Sequence, residues 1–385
     1  MLFGGKLRGV KQLEIGDGAP PIIFTHVGII SEYDTQKELD DAIDTEIKKA
    51  LRAVELGADA ICDVSTNSFM SRLHERLAKE LDVPFGVVSV YETFVRTRKE
   101  KIQVTNEAFF DDLEAELRRG ADLLTLHATV FQNDRKLLSS SERLIPSTSR
   151  GGMMMLELLE EANIENPYYT HFDEILKLCN EYGASISLAP MYRPASVVDA
   201  REKDTLHILE LTRMSSLVIK AKECGVTIMI EGIGHASLLD IPRLVKKAKE
   251  LCPYAAYRIM PVATDVAIGF DHISSSIAAA TAIQHGADSI TCVTRKEHIG
   301  IPTFADMEEG VIAAQIAAHI GYSARTGDFE RDKRMSSERI RKGCLGDVKS
   351  ALFPTEVYEE LIDDRVCSMC GEYCPLKKQR NKERK

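Results

Sequence analysis

No stretch of the 385-residue chain approaches the roughly 18 to 20 uninterrupted apolar residues of a membrane span, although 44% of the residues are hydrophobic. The opening MLFGGKLRGVKQLEIGDG also lacks the apolar run of a signal peptide. A soluble cytoplasmic protein without a membrane partner is therefore expected. Positive charge is scarce, with 49 Lys plus Arg against 59 Asp plus Glu and a net charge of −10. That balance disfavours nucleic acid as a partner. The one basic cluster, KKQRNKERK after Leu376, reads as a solvated, frayed tail, and no other low-complexity segment is present. An even cysteine count is missing too. The nine, at 62, 179, 224, 252, 292, 344, 367, 370 and 374, fit a disulfide-stapled secreted scaffold poorly and a reducing compartment better. Six are scattered singly, and three fall within eight residues near the C-terminus.

What the chain has in quantity is alternation. Short β-rich runs are predicted at about Ile22 to His26, Ala58 to Val64, Phe85 to Val90, Asp122 to His127, Ala184 to Ala189, Val226 to Glu231, Tyr257 to Pro261 and Asp288 to Val293. Stretches of helical spacing separate them, the order of parallel βα units. Three runs begin at the same tripeptide, Gly57-Ala58-Asp59, Gly120-Ala121-Asp122 and Gly286-Ala287-Asp288, and two more are preceded by Gly183 and Gly225. Such glycines suit a helix C-cap, where positive φ costs glycine little. Eight units predict an α/β fold of the (β/α)₈ TIM-barrel type, with a doubly wound sheet as the alternative. Ionisable groups at the strand ends favour the barrel: His26, Asp63, Tyr91, His127, Tyr192 with Arg193, Glu231 with His235, Asp265, and Thr294 through His298. Residues 1–20 are expected to be a leading loop, 21–320 the barrel, 321–376 a C-terminal extension and 377–385 a disordered tail. Met307 to Ile320 reads as a helix.

The extension carries Cys367-Ser368-Met369-Cys370-Gly371-Glu372-Tyr373-Cys374-Pro375. Thiolates so spaced can hold a [4Fe–4S] cluster and leave one iron open to chelate S-adenosylmethionine, whose reductive cleavage yields a 5′-deoxyadenosyl radical. A structural zinc completed by Cys344 or a histidine, or unmetallated thiols, are the other readings. His235, in Glu231-Gly232-Ile233-Gly234-His235, and His298, in Lys296-Glu297-His298, can share a divalent metal or be separate structural histidines; His272 is a third candidate. Ser147-Thr148-Ser149-Arg150-Gly151-Gly152 opens a helical run and suits either a phosphate or a plain N-cap with a solvated arginine. Met153 to Met155 read as core filling. Glu231 can be a general base or the ion-pair partner of Lys296 or Arg193.

Together the segments GADAICDVST, VPFGVVSVYE, GADLLTLHA, STSRGG, YYTHFDEI, SLAPMYRPAS, VTIMIEGIGH, YRIMPVATDVAIGFDHI, CVTRKEHIGIP and CSMCGEYCP resemble the phosphomethylpyrimidine synthase family of thiamin biosynthesis. The likeness runs from about Gly57 to Pro375. It implies a (β/α)₈ barrel and a radical S-adenosylmethionine enzyme, a C–C lyase that rearranges 5-aminoimidazole ribotide with an external electron donor. Tyr91, His127, Ser149, Arg150, Gly151, Arg193, Glu231 and Tyr257 would bind this phosphorylated small molecule. His235 and His298, rather than His272, would hold zinc or a similar metal, and Cys367, Cys370 and Cys374 the [4Fe–4S] cluster. The resemblance also implies a homodimer in which each C-terminal segment reaches the neighbouring barrel.

Four departures point to a divergent paralogue. His26 stands where the family has asparagine, and Cys62 where it has methionine. Ala189-Pro190-Met191-Tyr192-Arg193-Pro194-Ala195 replaces Gly-Asp-Gly-Leu-Arg-Pro-Gly, and the last cysteine gap is one residue shorter. The expected roles are radical generation at the three cysteines, phosphate binding at Arg150, and proton handling by Glu231, His235 and His298. The alternatives are 5-hydroxybenzimidazole formation for a cobamide lower ligand, a non-catalytic partner barrel, and a zinc hydrolase.

Overall fold

In the computed structural model, which describes residues 1–5, 7–201, 204–343, 346–361 and 369–383, eight parallel strands close into a barrel. They are β1 (Ile22–Val27), β2 (Ala60–Asp63), β3 (Phe85–Val88), β4 (Leu123–Leu126), β5 (Ser185–Leu188), β6 (Ile228–Gly232), β7 (Ala256–Ile259) and β8 (Ser289–Thr291). Pairing of Ser289 with Ile22 joins the last strand to the first. The fold is the predicted (β/α)₈ barrel, and each strand lies within at most two residues of its expected bounds. Among the described residues no helix is long and apolar enough to cross a membrane.

Each Gly-Ala-Asp tripeptide performs two tasks. Gly57, Gly120 and Gly286 take φ of 101°, 98° and 114°, ending a helix as expected. The aspartates then accept the N–H of a neighbouring strand: Asp59 from Ile23 at 2.9 Å, Asp122 from Phe85 at 3.0 Å and Asp288 from Tyr257 at 2.8 Å. The repeat thus ties each helix stop to the start of an adjacent strand.

Burial pushes the Asp59 carboxyl up to about 6, against the Ile23 hydrogen bond and the charge of Lys11. A raised carboxyl contributes its stability below the unfolded value near 4 and loses it as pH climbs through the folded one. Asp59→Asn keeps an acceptor for Ile23 and cannot ionise. It is expected to stabilise the protein at pH 8 by about 1–3 kcal/mol and to change little at pH 4. Thermal melts at both pH values check this; equal shifts would contradict it.

The N-terminal segment differs from the expected loop. Leu2–Phe3 pairs antiparallel with Leu13–Glu14, and Phe3 is fully buried under the barrel, its ring 5.5 Å from that of Phe24. Strands of two residues carry no periodic signal, so the sequence could not announce them. At the other end Phe304–Thr326 is a longer helix than Met307 to Ile320, and His319 Nε2 meets Asp332 at 2.8 Å to dock the helix Glu330–Lys342. Pro375–Glu383 is helical where a frayed tail was expected, because proline fits a first turn and Lys, Gln, Arg and Glu favour helix.

Candidate active site

Side chains alternate along a strand, and that alternation divides the barrel interior into two levels. The lower inward residues, Ile22, Phe24, Ala60, Leu123, Met229 and Ala256, form an apolar plug closed by Phe3. One pleat higher, the inward positions become His26, Thr125, His127, Glu231, Arg258 and Thr291, and these line a cavity of about 550 Å³ open at the strands' C-terminal ends.

Seven of the eight predicted substrate residues, Tyr91, His127, Ser149, Arg150, Gly151, Arg193 and Glu231, line this cavity. Tyr257 does not. It lies out of phase with Ala256 and Arg258, points away from the barrel axis, and is wholly buried against Gly232. Asp63 and Tyr192 also turn away: Asp63 receives Ser65 at 2.6 Å and His74 at 2.8 Å, and the Tyr192 hydroxyl reaches the carbonyl of Asp134.

Ser149 caps the helix Arg150–Ala162 by accepting the N–H of Gly152 at 3.1 Å. The first N–H groups of that helix keep no intrahelical partner and face the cavity end. Gly151 is required there, since a Cβ would overlap the His127 ring. Arg150 is held as well as exposed, and so is not the freely solvated arginine of the plain-cap reading. Its guanidinium stacks on Tyr91 at 4.6 Å, donates to the Tyr91 hydroxyl at 3.1 Å and to the Val64 carbonyl at 3.0 Å. Burial, followed by the charge of Arg193, drives the His127 imidazole down to about 3, so it is neutral at any ordinary pH. Met155 is fully buried, with Met153 and Met154 packed behind it, as core filling requires.

Glu231 pairs with neither Lys296 nor Arg193. It accepts from Ser187 at 2.8 Å and from Arg258 at 3.2 Å. Arg258, which sequence reading missed, is only 3% exposed and crosses the barrel floor. Its signal was its phase: two residues before Met260 and two after Ala256, it had to point inward. Arg193, by contrast, has no ion-pair or hydrogen-bond partner among the described residues. Its loop is nonetheless firmly seated, because buried Glu210 accepts the N–H groups of Met191 at 2.6 Å and Tyr192 at 2.8 Å. Burial pushes that carboxyl up to about 7 against those two hydrogen bonds.

Beside the cavity His235 and His298 come together, their ring centroids 5.0 Å apart. Asp265 Oδ1 engages His235 Nδ1 at 2.6 Å, and Asp271 Oδ1 engages His298 Nδ1 at 3.0 Å. Each carboxylate fixes a ring and leaves its Nε2 turned outward, the arrangement that metal-binding imidazoles use. His272 stays apart, 3.9 Å from Glu309. The glycines of the EGIGH segment have steric causes: a Cβ at Gly232 would overlap Tyr257, and one at Gly234 would overlap the Pro194 carbonyl. Between them buried Ile233 takes φ of 39°, a left-handed strain that the packing on both sides enforces.

Cys367 and Cys344 lie outside the described residues. Cys370 and Cys374 stand at the two ends of the turn Gly371–Tyr373, closed by the Tyr373 N–H to the Cys370 carbonyl at 2.9 Å. Cys370 is exposed and Cys374 buried, and neither lines the cavity of its own chain. Two thiols one turn apart, with a third three residues upstream, suit a cluster with three protein ligands.

Residues 11–381 match the Radical SAM ThiC family. The phosphomethylpyrimidine synthase of Carboxydothermus hydrogenoformans is 37% identical over 343 residues, covering 86% of this chain and 80% of the relative. That of Methanopyrus kandleri is 35% identical over 379 residues, covering 96% and 86%. That of Thermodesulfovibrio yellowstonii is 33% identical over 383 residues, covering 96% and 88%. A match across nearly the whole chain, on a barrel of the expected kind, makes this chain a radical S-adenosylmethionine enzyme belonging to the Radical SAM ThiC family.

Proposed function

We propose that the chain rearranges 5-aminoimidazole ribotide, or a close phosphorylated analogue, to a phosphomethylpyrimidine-type product. The observation that carries this reading is charge: in a protein of net charge −10, the cavity keeps Arg150, Arg193 and Lys296 without an ion pair among the described residues. Arg258 and Lys49 are spoken for by Glu231 and Glu46, and the remaining lining carboxylate, Glu297, feels the charge of Arg193 without forming an ion pair, so the lining cations still outnumber the acids five to three. Unpaired cations around an enclosed space suit a small anion. Arg193, Arg150 and the helix N-terminus at Ser149 would take the phosphate, and His127 and Glu231 would meet the ring and ribose below. Cys367, Cys370 and Cys374 would hold the [4Fe–4S] cluster, which with S-adenosylmethionine and an external electron donor supplies the 5′-deoxyadenosyl radical. The cytoplasm is the compartment that this chemistry and the odd cysteine count fit.

His235 and His298 would hold zinc or a similar divalent ion. Replacing Asp265 by asparagine, which weakens the orientation of His235 without removing a ligand, is expected to lower metal affinity about 10–100-fold. Titration of the purified protein with zinc measures this; unchanged affinity would show that the histidine pair is not the site.

A second reading, 5-hydroxybenzimidazole formation, has one observation in its favour. Pro190 lines the cavity where the family's loop carries an acid, and it offers no acceptor to a substrate hydroxyl. Anaerobic incubation of reconstituted protein with aminoimidazole ribotide, S-adenosylmethionine and dithionite, followed by mass spectrometry, separates the two. Absence of both products would overturn the assignment of this substrate.

A further inference from the structure

The cavity floor is one hydrogen-bonded array centred on a guanidinium. Arg258 Nε donates to Thr291 Oγ1 at 2.8 Å, and one terminal nitrogen donates to Glu231 at 3.2 Å. The other terminal nitrogen meets His26 Nε2 at 3.1 Å and Cys62 Sγ at 3.6 Å. The ring of Phe24 supports the guanidinium from below, 4.0 Å from its carbon. Arg258 therefore separates the apolar plug from the polar cavity and touches β1, β2, β6 and β8 together.

Arginine can only donate, so His26 Nε2 must accept. The groups facing His26 are Arg258, Arg193 and Arg150 by charge and Cys62 across the strand pair. Burial, then those three cations, holds the imidazole down to about 3. A neutral ring whose Nε2 accepts carries its proton on Nδ1. That Nδ1 has no hydrogen-bond partner among the described residues, and His26 lines the cavity.

We infer that Arg258 is a positioning residue that fixes His26 as an Nδ1–H donor beside Glu231 as an acceptor, so that the floor selects a ligand edge bearing one acceptor and one donor. An amino-substituted nitrogen heterocycle has such an edge, and it would enter ring first with its anionic group left at the Arg193 rim. The binding half of this inference rests on the proposed substrate; the tautomer does not.

The wild-type chain labelled with ¹⁵N tests the tautomer by long-range ¹H–¹⁵N spectra of its ten histidines, His26 being identified by its loss in His26→Phe. The expected pattern is a protonated Nδ1 and bare Nε2, unchanged from pH 5 to 9. In Arg258→Met the proton redistributes toward Nε2. A wild-type ring protonated on Nε2, or titrating in that range, overturns the inference. Calorimetry with aminoimidazole ribotide tests the donor: binding is expected to weaken about tenfold in His26→Phe, the loss of one hydrogen bond. Wild-type affinity in that variant also overturns it. If the wild-type chain fails to bind this compound while the tautomer stands, the substrate assignment fails and the floor's polarity survives.

Discussion

Replacing Arg193 by methionine is expected to lower kcat/KM for aminoimidazole ribotide about a hundredfold, almost all of it through KM. The guanidinium makes no ion pair or hydrogen bond among the described residues, although the charge of Glu297 acts on it across the cavity, so a bound phosphate is the close partner it lacks. Charge-assisted hydrogen bonds contribute about 1.5–3 kcal/mol, which at the upper end is a factor of about a hundred. The phosphate does not react, and an interaction equal in ground and transition states moves KM while leaving kcat. The loop cannot shift to compensate, because Glu210 holds the backbone of Met191 and Tyr192, and the His235 N–H donates to the Pro194 carbonyl at 2.9 Å. Methionine keeps the length and apolar stem of the side chain, so the fold should be unaffected. A matched change at Arg143, which pairs with Asp204 away from the cavity, should instead lower the melting temperature. Steady-state kinetics decide the matter: a fall confined to kcat would place Arg193 on the reacting atoms rather than on the phosphate.

The barrel was legible because its strands are buried on both sides and separated by glycines that stop helices, signals that need no tertiary knowledge. The rim was legible because ionisable residues at a strand's end have few structural reasons to be there. The floor was not. Arg258 sits inside a strand whose neighbour Tyr257 drew attention as the residue matching the family pattern, yet period-two alternation places Arg258 inward and Tyr257 outward. The same physics explains Glu231. Its partner could not be chosen from Lys296, Arg193 and others without the crossing geometry that brings β7 beside β6. Asp265 stood in the sequence only as a rim acid, and Asp271 only as the chain neighbour of His272. Only the folded loops show that they orient His235 and His298.

Replacing Cys374 by alanine is expected to reduce the iron of anaerobically reconstituted protein from about four per chain to near zero, with loss of brown colour and of S-adenosylmethionine cleavage. Three thiolates leave no spare ligand, so deletion of one should release the whole centre rather than loosen it. Cys224→Ala, at an exposed and isolated thiol, should leave iron content unchanged and serves as the control. The location of Cys370 and Cys374 outside their own chain's cavity then permits a sharper test. If each C-terminal segment serves the barrel of a second copy, then at substrate far below KM chains with Arg193→Met, which keep about a hundredth of the rate, and chains with Cys374→Ala, which are inactive, are complementary together. In a mixed pair, the intact cavity of the second chain meets the intact cysteines of the first. Random re-association should then restore about a quarter of the wild-type sites, since half the pairs are mixed and one site in each is whole. If the segment served its own barrel, every site in the mixture would lack either its arginine or its third thiolate, and mixing would restore nothing.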